Sequence, residues 1–265
     1  MLKLTDLRKT FNVGTVNERP ALCGVNLHVK DGEFVTVIGG NGSGKSTMLN
    51  IISGLYYCDG GKIMLDNENI TNKTEYQRAK YLGRVFQDPM MGTAATMTIE
   101  ENLSMAYRRT KKRGLNWGLT KKEKSVYKEV VKTLDLGLEN RMTTKMGLLS
   151  GGQRQAVTLL MATLQKPKLL LLDEHTAALD PKTAAKVLQI TNEIVQEHKL
   201  TALMVTHNMK DAIRTGSRLI MMNNGNIIYD VSGEEKKNLT VKDLLQKFEE
   251  ASQGDFVADD RMLLG

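Results

Sequence analysis

The 265-residue sequence predicts an α/β fold, and three short stretches carry the prediction. The first, Gly39-Gly40-Asn41-Gly42-Ser43-Gly44-Lys45-Ser46, follows the apolar run 34–38 and opens a helical pattern at 45–53. The second is four consecutive leucines, Leu169 to Leu172, ending in Asp173 and Glu174. Such a run reads as a strand buried on both faces of a parallel sheet. The third, Leu149-Ser150-Gly151-Gly152-Gln153, is another glycine-rich turn, opened by a serine, at the start of a helix. The first and third each offer backbone N–H groups at a helix start, where an anion can bind. One chain seldom needs two such cradles for one phosphate chain. Two copies facing head to tail do, each closing the other's site.

The first loop matches G-x-x-x-x-G-K-[ST] and has the strand-before, helix-after context that the pattern requires. Glycine is needed because the backbone must wrap phosphates at dihedrals that a Cβ obstructs. Lys45 supplies a point charge to the β- and γ-phosphates, and Ser46 can ligate Mg²⁺. Asp173 and Glu174 emerge at the C-terminal end of their strand, where ligands sit in open α/β sheets. Asp173 is placed to hold Mg²⁺, directly or through water. Glu174, pointing the other way across the pleat, is placed to orient and deprotonate an attacking water. A solvated acidic strand end is the plainer reading of either carboxylate alone.

Through these residues the chain resembles the ATP-binding cassette of an ABC transporter over nearly its whole length. Residues 149–153 stand for the signature LSGGQ, 39–47 for Walker A and 169–174 for Walker B. Gln87, after the apolar run 81–86, resembles the Q-loop glutamine, and Ala178-Leu179-Asp180 the D-loop. His207, closing the run 202–206, resembles the switch histidine, and Phe11 stands where an aromatic stacks on adenine. The resemblance implies a P-loop NTPase core with a mixed sheet, an antiparallel β subdomain and an inserted α-helical subdomain. ATP would be held by Phe11, Gly39, Asn41, Gly42, Ser43, Gly44, Lys45, Ser46 and Thr47. Ser150, Gly151, Gly152, Gln153 and Asp180 would complete a second copy's site. Mg²⁺ would be held by Ser46, Gln87 and Asp173, with Glu174, His207 and Gln87 acting in hydrolysis. His175 departs from the family, which more often has a small residue or proline there, and is expected to pack.

The elements follow in order. Residues 1–11 and 21–29 read as strands, with the polar loop 12–20 between them. The core begins with the strand 34–38 and its loop. From about 88 to 148 the sequence carries helical periods (99–109 and 121–134) and no strong strand, which predicts an inserted helical subdomain. The core resumes with a helix at 151–165 and the strand 169–173. Asp180 and Pro181 give N-cap and N1 signals for a helix at 181–198, with Val187, Ile190, Ile194 and Val195 on its apolar face. A strand at 202–206 follows, then a hairpin, 219–224 with 226–230, about Gly225. An amphipathic helix at 241–250 precedes a polar tail. The nucleotide-binding core is thus expected over 1–87 and 149–230, the helical subdomain over 88–148, and a C-terminal helix and tail over 231–265.

The net charge of +7 is uneven. Residues 108–132 carry ten basic side chains against Glu123 and Glu129, whereas 230–265 carry nine acidic and five basic ones. A solvated face is the default meaning of the basic run. Contact with anionic lipid headgroups is the sharper reading. Nucleic acid is disfavoured, because only Trp117 and Tyr127 are interleaved with the charges. No run approaches the ~18 apolar residues of a membrane helix, and the charged N-terminus carries no signal-peptide pattern. Cys23 and Cys58 lack metal-ligand spacing and read as reduced structural residues of a cytoplasmic protein.

Together these imply an ATPase that dimerises with a second copy at the cytoplasmic face of the membrane and serves separate permease subunits. Segments 84–103 and 165–180 most resemble bacterial importer ATPases of the tryptophan- or tyrosine-type amino-acid group, which work with a solute-binding protein. The rival reading is an ABC ATPase without a permease, of the cluster-assembly type.

Overall fold

The structure is a computed structural model, and it describes residues 1–109 and 118–251. Lys111, Lys112, Arg113 and Trp117, and the tail beyond 251, lie outside the described residues. In chain order the strands are β1 (Leu2–Phe11), β2 (Arg19–Val29), β3 (Phe34–Ile38), β4 (Gly60–Leu65), β5 (Glu68–Asn69), β6 (Leu82–Val85), β7 (Leu169–Asp173), β8 (Thr201–Val205), β9 (Arg218–Asn223) and β10 (Asn226–Ser232). The helices are α1 (Lys45–Ser53), α2 (Glu75–Arg78), α3 (Ile99–Tyr107), α4 (Lys121–Lys132), α5 (Gly151–Thr163), α6 (Pro181–Glu197), α7 (Met209–Arg214), α8 (Gly233–Lys237) and α9 (Val241–Ala251). They fall into two compact units, Met1–Arg78 with Lys199–Gly265, and Ala79–His198.

In the first unit β2, β1, β4 and β5 form an antiparallel sheet in that order. The buried leucines of β1 change phase along the strand, from Leu2 and Leu4 to Leu7. Asp6 explains the change: its φ of 47° places one extra residue in the ladder, and a one-residue shift moves side chains to the other face. The same unit holds β3 in parallel with both β8 and β9, and β10 antiparallel to β9. Every residue of β3 and β8 is buried, Thr36 and Thr201 included, which is why neither strand alternates apolar with charged residues. Beneath β9, Met209 and Ala212 of α7 and Leu244 and Phe248 of α9 pack with Ile38, Leu219, Met221 and Val231.

In the second unit β6 and β7 pair in parallel, from Leu82 opposite Leu169 to Val85 opposite Leu172. Three helices here start from capping boxes: Thr98 with Glu101 on α3, Thr120 with Glu123 on α4, and Ser150 with Gln153 on α5. Asn102 is fully buried and knots the turn before α3, donating to the carbonyls of Ala94, Met97 and Thr98 and accepting the Ala94 N–H. The basic character of α4 is partly internal. Arg108 pairs with Glu123 at 2.8 Å and Lys124 with Glu100 at 2.7 Å, and the Arg108 guanidinium holds the Glu123 carboxyl down at about 2.

Most motif-bearing elements have the expected bounds, and the strand expected at 202–206 lies one residue earlier. Thr206 leaves the strand, although its N–H still reaches the Val37 carbonyl at 3.1 Å. The short elements β4, β5, α2, α7 and α8 are additions to the sequence reading.

Candidate active site

In the first unit, β3 ends at Ile38 and the chain turns through residues 39–44 into α1. Gly39 and Gly44 take φ values of 150° and 101°. A Cβ on Gly39 would stand 2.2 Å from the Met222 carbonyl oxygen, and one on Gly44 would stand 2.5 Å from that of Ala21, so neither position admits a side chain. Lys45 is almost fully buried; its Nζ donates to the carbonyls of Gly39 and Gly40 at 2.7 and 2.8 Å, with Ser43 Oγ at 3.4 Å. Asn41, Gly42 and Ser46 are exposed and Thr47 is half-buried. Unlike α3, α4 and α5, α1 has no side-chain cap, and its first turn carries no acidic residue. Its N-terminal N–H groups and dipole therefore remain for a ligand, and a phosphate fits them.

His207 follows β8 by two residues and is half-buried. Because β3 and β8 are adjacent and parallel, with Val37 opposite Val205, His207 and the 39–47 loop leave the same end of one ladder. Phe11 ends β1, half-buried, with its ring edge-on to Tyr56 at 5.5 Å and Lys9 Nζ 5.6 Å from its centroid.

In the second unit the same logic brings Gln87 to the carboxylates. Val85 lies opposite Leu172, so exposed Gln87 and the pair Asp173 and Glu174 leave the same end of β6 and β7. Asp173 Oδ2 lies 3.3 Å from Arg84 Nη2, whose guanidinium also stacks 4.5 Å from the Phe86 ring centroid. Glu174 does not continue the pleat as expected. Its φ is +46°, a left-handed turn that a non-glycine residue rarely takes, with Ala177 N–H donating to its carbonyl at 2.9 Å. Among the described residues no cluster of three or more His, Cys, Asp or Glu could hold a metal. A hydroxyl on Ser46 and a carboxylate on Asp173 are nonetheless hard oxygen donors, and Mg²⁺ usually keeps water and phosphate for the rest of its shell.

The signature turn is built by packing. Ser150 and Gly151 are exposed at the head of α5, with Ser150 Oγ accepting the Gln153 N–H at 3.3 Å. Gly152 is buried against α6: a Cβ there would stand 1.9 Å from Thr183 Cγ2. Asp180 caps α6 through the Thr183 N–H at 3.1 Å, and the hydrogen bonds from Thr183 lower its carboxyl's pKa. His175 packs as expected. It is 2 % exposed, with Nε2 2.9 Å from Thr191 Oγ1, and burial pushes its pKa down to about 4, so it is neutral.

Four supporting residues escaped the sequence reading. Arg154 donates to the carbonyls of Met146, Gly147 and Leu149, fastening the approach to the signature. Gln155, fully buried, donates to the Phe86 carbonyl at 3.0 Å, one residue before Gln87. Arg84 reaches Asp173, and Arg19 lies against Gly42. For Arg84 and Gln155 the available signal was a polar residue inside an otherwise apolar strand or helix face.

The family profile described as "ABC transporter" matches residues 22–177, more than half of the chain. The chain belongs to the ABC transporter family. It is an ATPase of that family, binding ATP and hydrolysing it in the service of transport. It is 46 % identical over 251 residues to the tyrosine transport ATP-binding protein of Clostridioides difficile (strain R20291), covering 95 % of this chain and all of that one. It is 32 % identical to the energy-coupling factor transporter ATP-binding protein EcfA1 of Streptococcus pyogenes serotype M5 (strain Manfredo), covering 86 % of this chain and 78 % of that one. Among solved structures it is similar to a post-hydrolysis dimer of the ATP-binding cassette MJ0796 bound to ADP and Pi. That match has a TM-score of 0.74 and 34 % identity, covering 88 % of this chain and 98 % of the other. Another is the ADP conformation of the cassette MJ1267, with a TM-score of 0.78 and 28 % identity, covering 96 % and 99 %. These cassettes have the mixed α/β fold expected from the sequence. Among the described residues no helix is long and apolar enough to cross a membrane.

Proposed function

We propose that two copies of this chain, at the cytoplasmic face of a membrane, close head to tail around two ATPs and drive import of an amino acid, an aromatic one by preference. Separate permease subunits and a solute-binding protein complete the system. The observation that carries this reading is the similarity to a tyrosine transport ATP-binding protein over that protein's whole length.

Each residue has an assigned task. Residues Gly39 to Thr47 enfold the phosphates, Lys45 neutralises their charge and Phe11 stacks on adenine. Ser46, Asp173 and Gln87 would hold Mg²⁺, which when bound would supply charge neutralisation on the phosphate oxygens. Glu174 accepts the proton of the attacking water, and His207 stabilises the charge that develops on the phosphoryl group. Ser150, Gly151, Gly152 and Gln153 of a second copy contact the γ-phosphate, with Asp180 at the same junction. Loss of that contact on hydrolysis opens the pair. Segment 88–148, the proposed helical subdomain, passes the movement to the permease. Met90 and Met91 are 42 % and 70 % exposed and give adaptable thioether surface for that contact.

The test is co-purification with a multi-span membrane protein, and stimulation of ATPase by that partner and an aromatic amino acid. Replacing Met90 and Met91 together by Asp places charge in an apolar contact. It should release the subunit from permease-containing membranes while leaving ATPase of the isolated chain nearly unchanged. Retention that survives this change but disappears on Lys111, Lys112 and Arg113→Glu would move the docking surface to the basic run and its lipids. Failure to retain any membrane protein would favour an ABC ATPase without a permease.

A further inference from the structure

Arg19 opens β2 directly opposite Phe11, the last residue of β1. Its guanidinium is laid across the phosphate loop: a Cβ on Gly42 would stand 2.0 Å from Arg19 Nη2 and 3.1 Å from its Cζ. The surroundings are already positive. Lys45 Nζ lies within the same loop, and the N-terminus of α1 has neither a side-chain cap nor an acid in its first turn. Two other cations on this sheet are neutralised locally, Arg8 by Asp6 at 2.9 Å and Lys9 by Asp59 at 2.7 Å. The acid beside Arg19 in sequence is engaged elsewhere, since Glu18 accepts the Gly14 N–H at 2.7 Å. Among the described residues no carboxylate pairs with Arg19.

A guanidinium, an ammonium and a helix N-terminus gathered on one loop repel one another until a polyanion joins them. A guanidinium also presents paired donors suited to phosphate oxygens. We propose that Arg19 is a further nucleotide ligand of this ATPase, binding the phosphate chain of a nucleoside di- or triphosphate held by the 39–47 loop. Its position opposite Phe11 sets it beside the aromatic assigned to adenine, so one nucleotide can meet both. The inference rests on the loop being the phosphate site.

The test is binding of ATP, ADP and inorganic tripolyphosphate to Arg19→Gln, Arg19→Lys, Lys45→Ala and the unaltered protein, read by calorimetry or by displacement of a fluorescent nucleotide. Arg19 is exposed, so Arg19→Gln should melt at the same temperature as the unaltered protein without nucleotide. Arg19→Gln should weaken ATP, ADP and tripolyphosphate about 10- to 100-fold, the usual worth of a charged hydrogen bond, with Arg19→Lys in between. Unchanged or tighter ATP binding would overturn the proposal, the latter making Arg19 an obstruction over the loop. So would a loss for ATP that tripolyphosphate does not share, which would place the contact on the base. Should Lys45→Ala also bind like the unaltered protein, the loop assignment itself would fail. Loss with Lys45→Ala but not with Arg19→Gln sinks Arg19 alone.

Discussion

Glu174 sits where β7 has just ended, and its left-handed φ holds the carboxylate off the line of the strand. Such a conformation costs about 1–3 kcal/mol for a non-glycine residue and persists only where its surroundings enforce it. Strain of that kind supports the assignment of Glu174 as general base. Glu174→Gln should lower phosphate release roughly 10²–10⁴-fold while ATP still binds. Unchanged turnover would remove it from that role. The neighbouring His175 has a different use. Buried and neutral, it prefers the folded state while uncharged, and its pKa is depressed to about 4 against an ordinary value of 6.5. The unfolded chain therefore takes up the proton first as pH falls. Its contribution to stability is full above pH 6.5 and is lost as pH drops toward 4, amounting to roughly 3 kcal/mol. Urea unfolding at several pH values should show the stability of the unaltered protein falling more steeply over that window than that of His175→Gln. Equal slopes would show that His175 takes up its proton as readily in the fold as in the unfolded chain.

At the scale of elements, α5 and α6 start side by side because Gly152 lets Thr183 in. Thr183 is β-branched and stiff within a helix, so an added methyl has little room to be accommodated. Gly152→Ala should destabilise the protein by about 1–3 kcal/mol, the usual scale of overpacking. Thr183→Ala in the same chain should recover most of that in chemical denaturation. If the pair is no better than Gly152→Ala alone, the contact is not what selects glycine. The sequence carried this region well where chemistry and packing coincide. The strand before the loop, the four leucines, the Ser150 cap and the Asp180-Pro181 start are each written in residues with one physical use. It carried less where elements are short. β4 begins with Gly60-Gly61 and buries only Ile63 and Leu65, while β5 has two residues and α2 four, too few for a period to register. The turn at Glu174, the Arg84–Asp173 pair and the Arg19–Gly42 contact depend on where neighbouring strands lie, which residue order alone does not state.

At the scale of the molecule, each unit carries some of the residues proposed to act. The first holds Phe11, the 39–47 loop and His207, and the second holds Gln87, residues 149–153, Asp173, Glu174 and Asp180. The central claim is that a working site takes its phosphate loop from one copy and its signature turn from another. Lys45→Ala should abolish ATP binding. Ser150→Arg should leave binding intact and prevent closure, because a long cation replaces the small residue at the exposed head of α5. Either variant alone should be inactive. Mixed together, they form pairs in which one site carries both changes and the other carries neither. Phosphate release should therefore reappear on mixing, at a rate above the sum of the two variants measured separately. Ser150→Arg weakening nucleotide binding as much as Lys45→Ala, with no activity recovered on mixing, would contradict a site shared between copies.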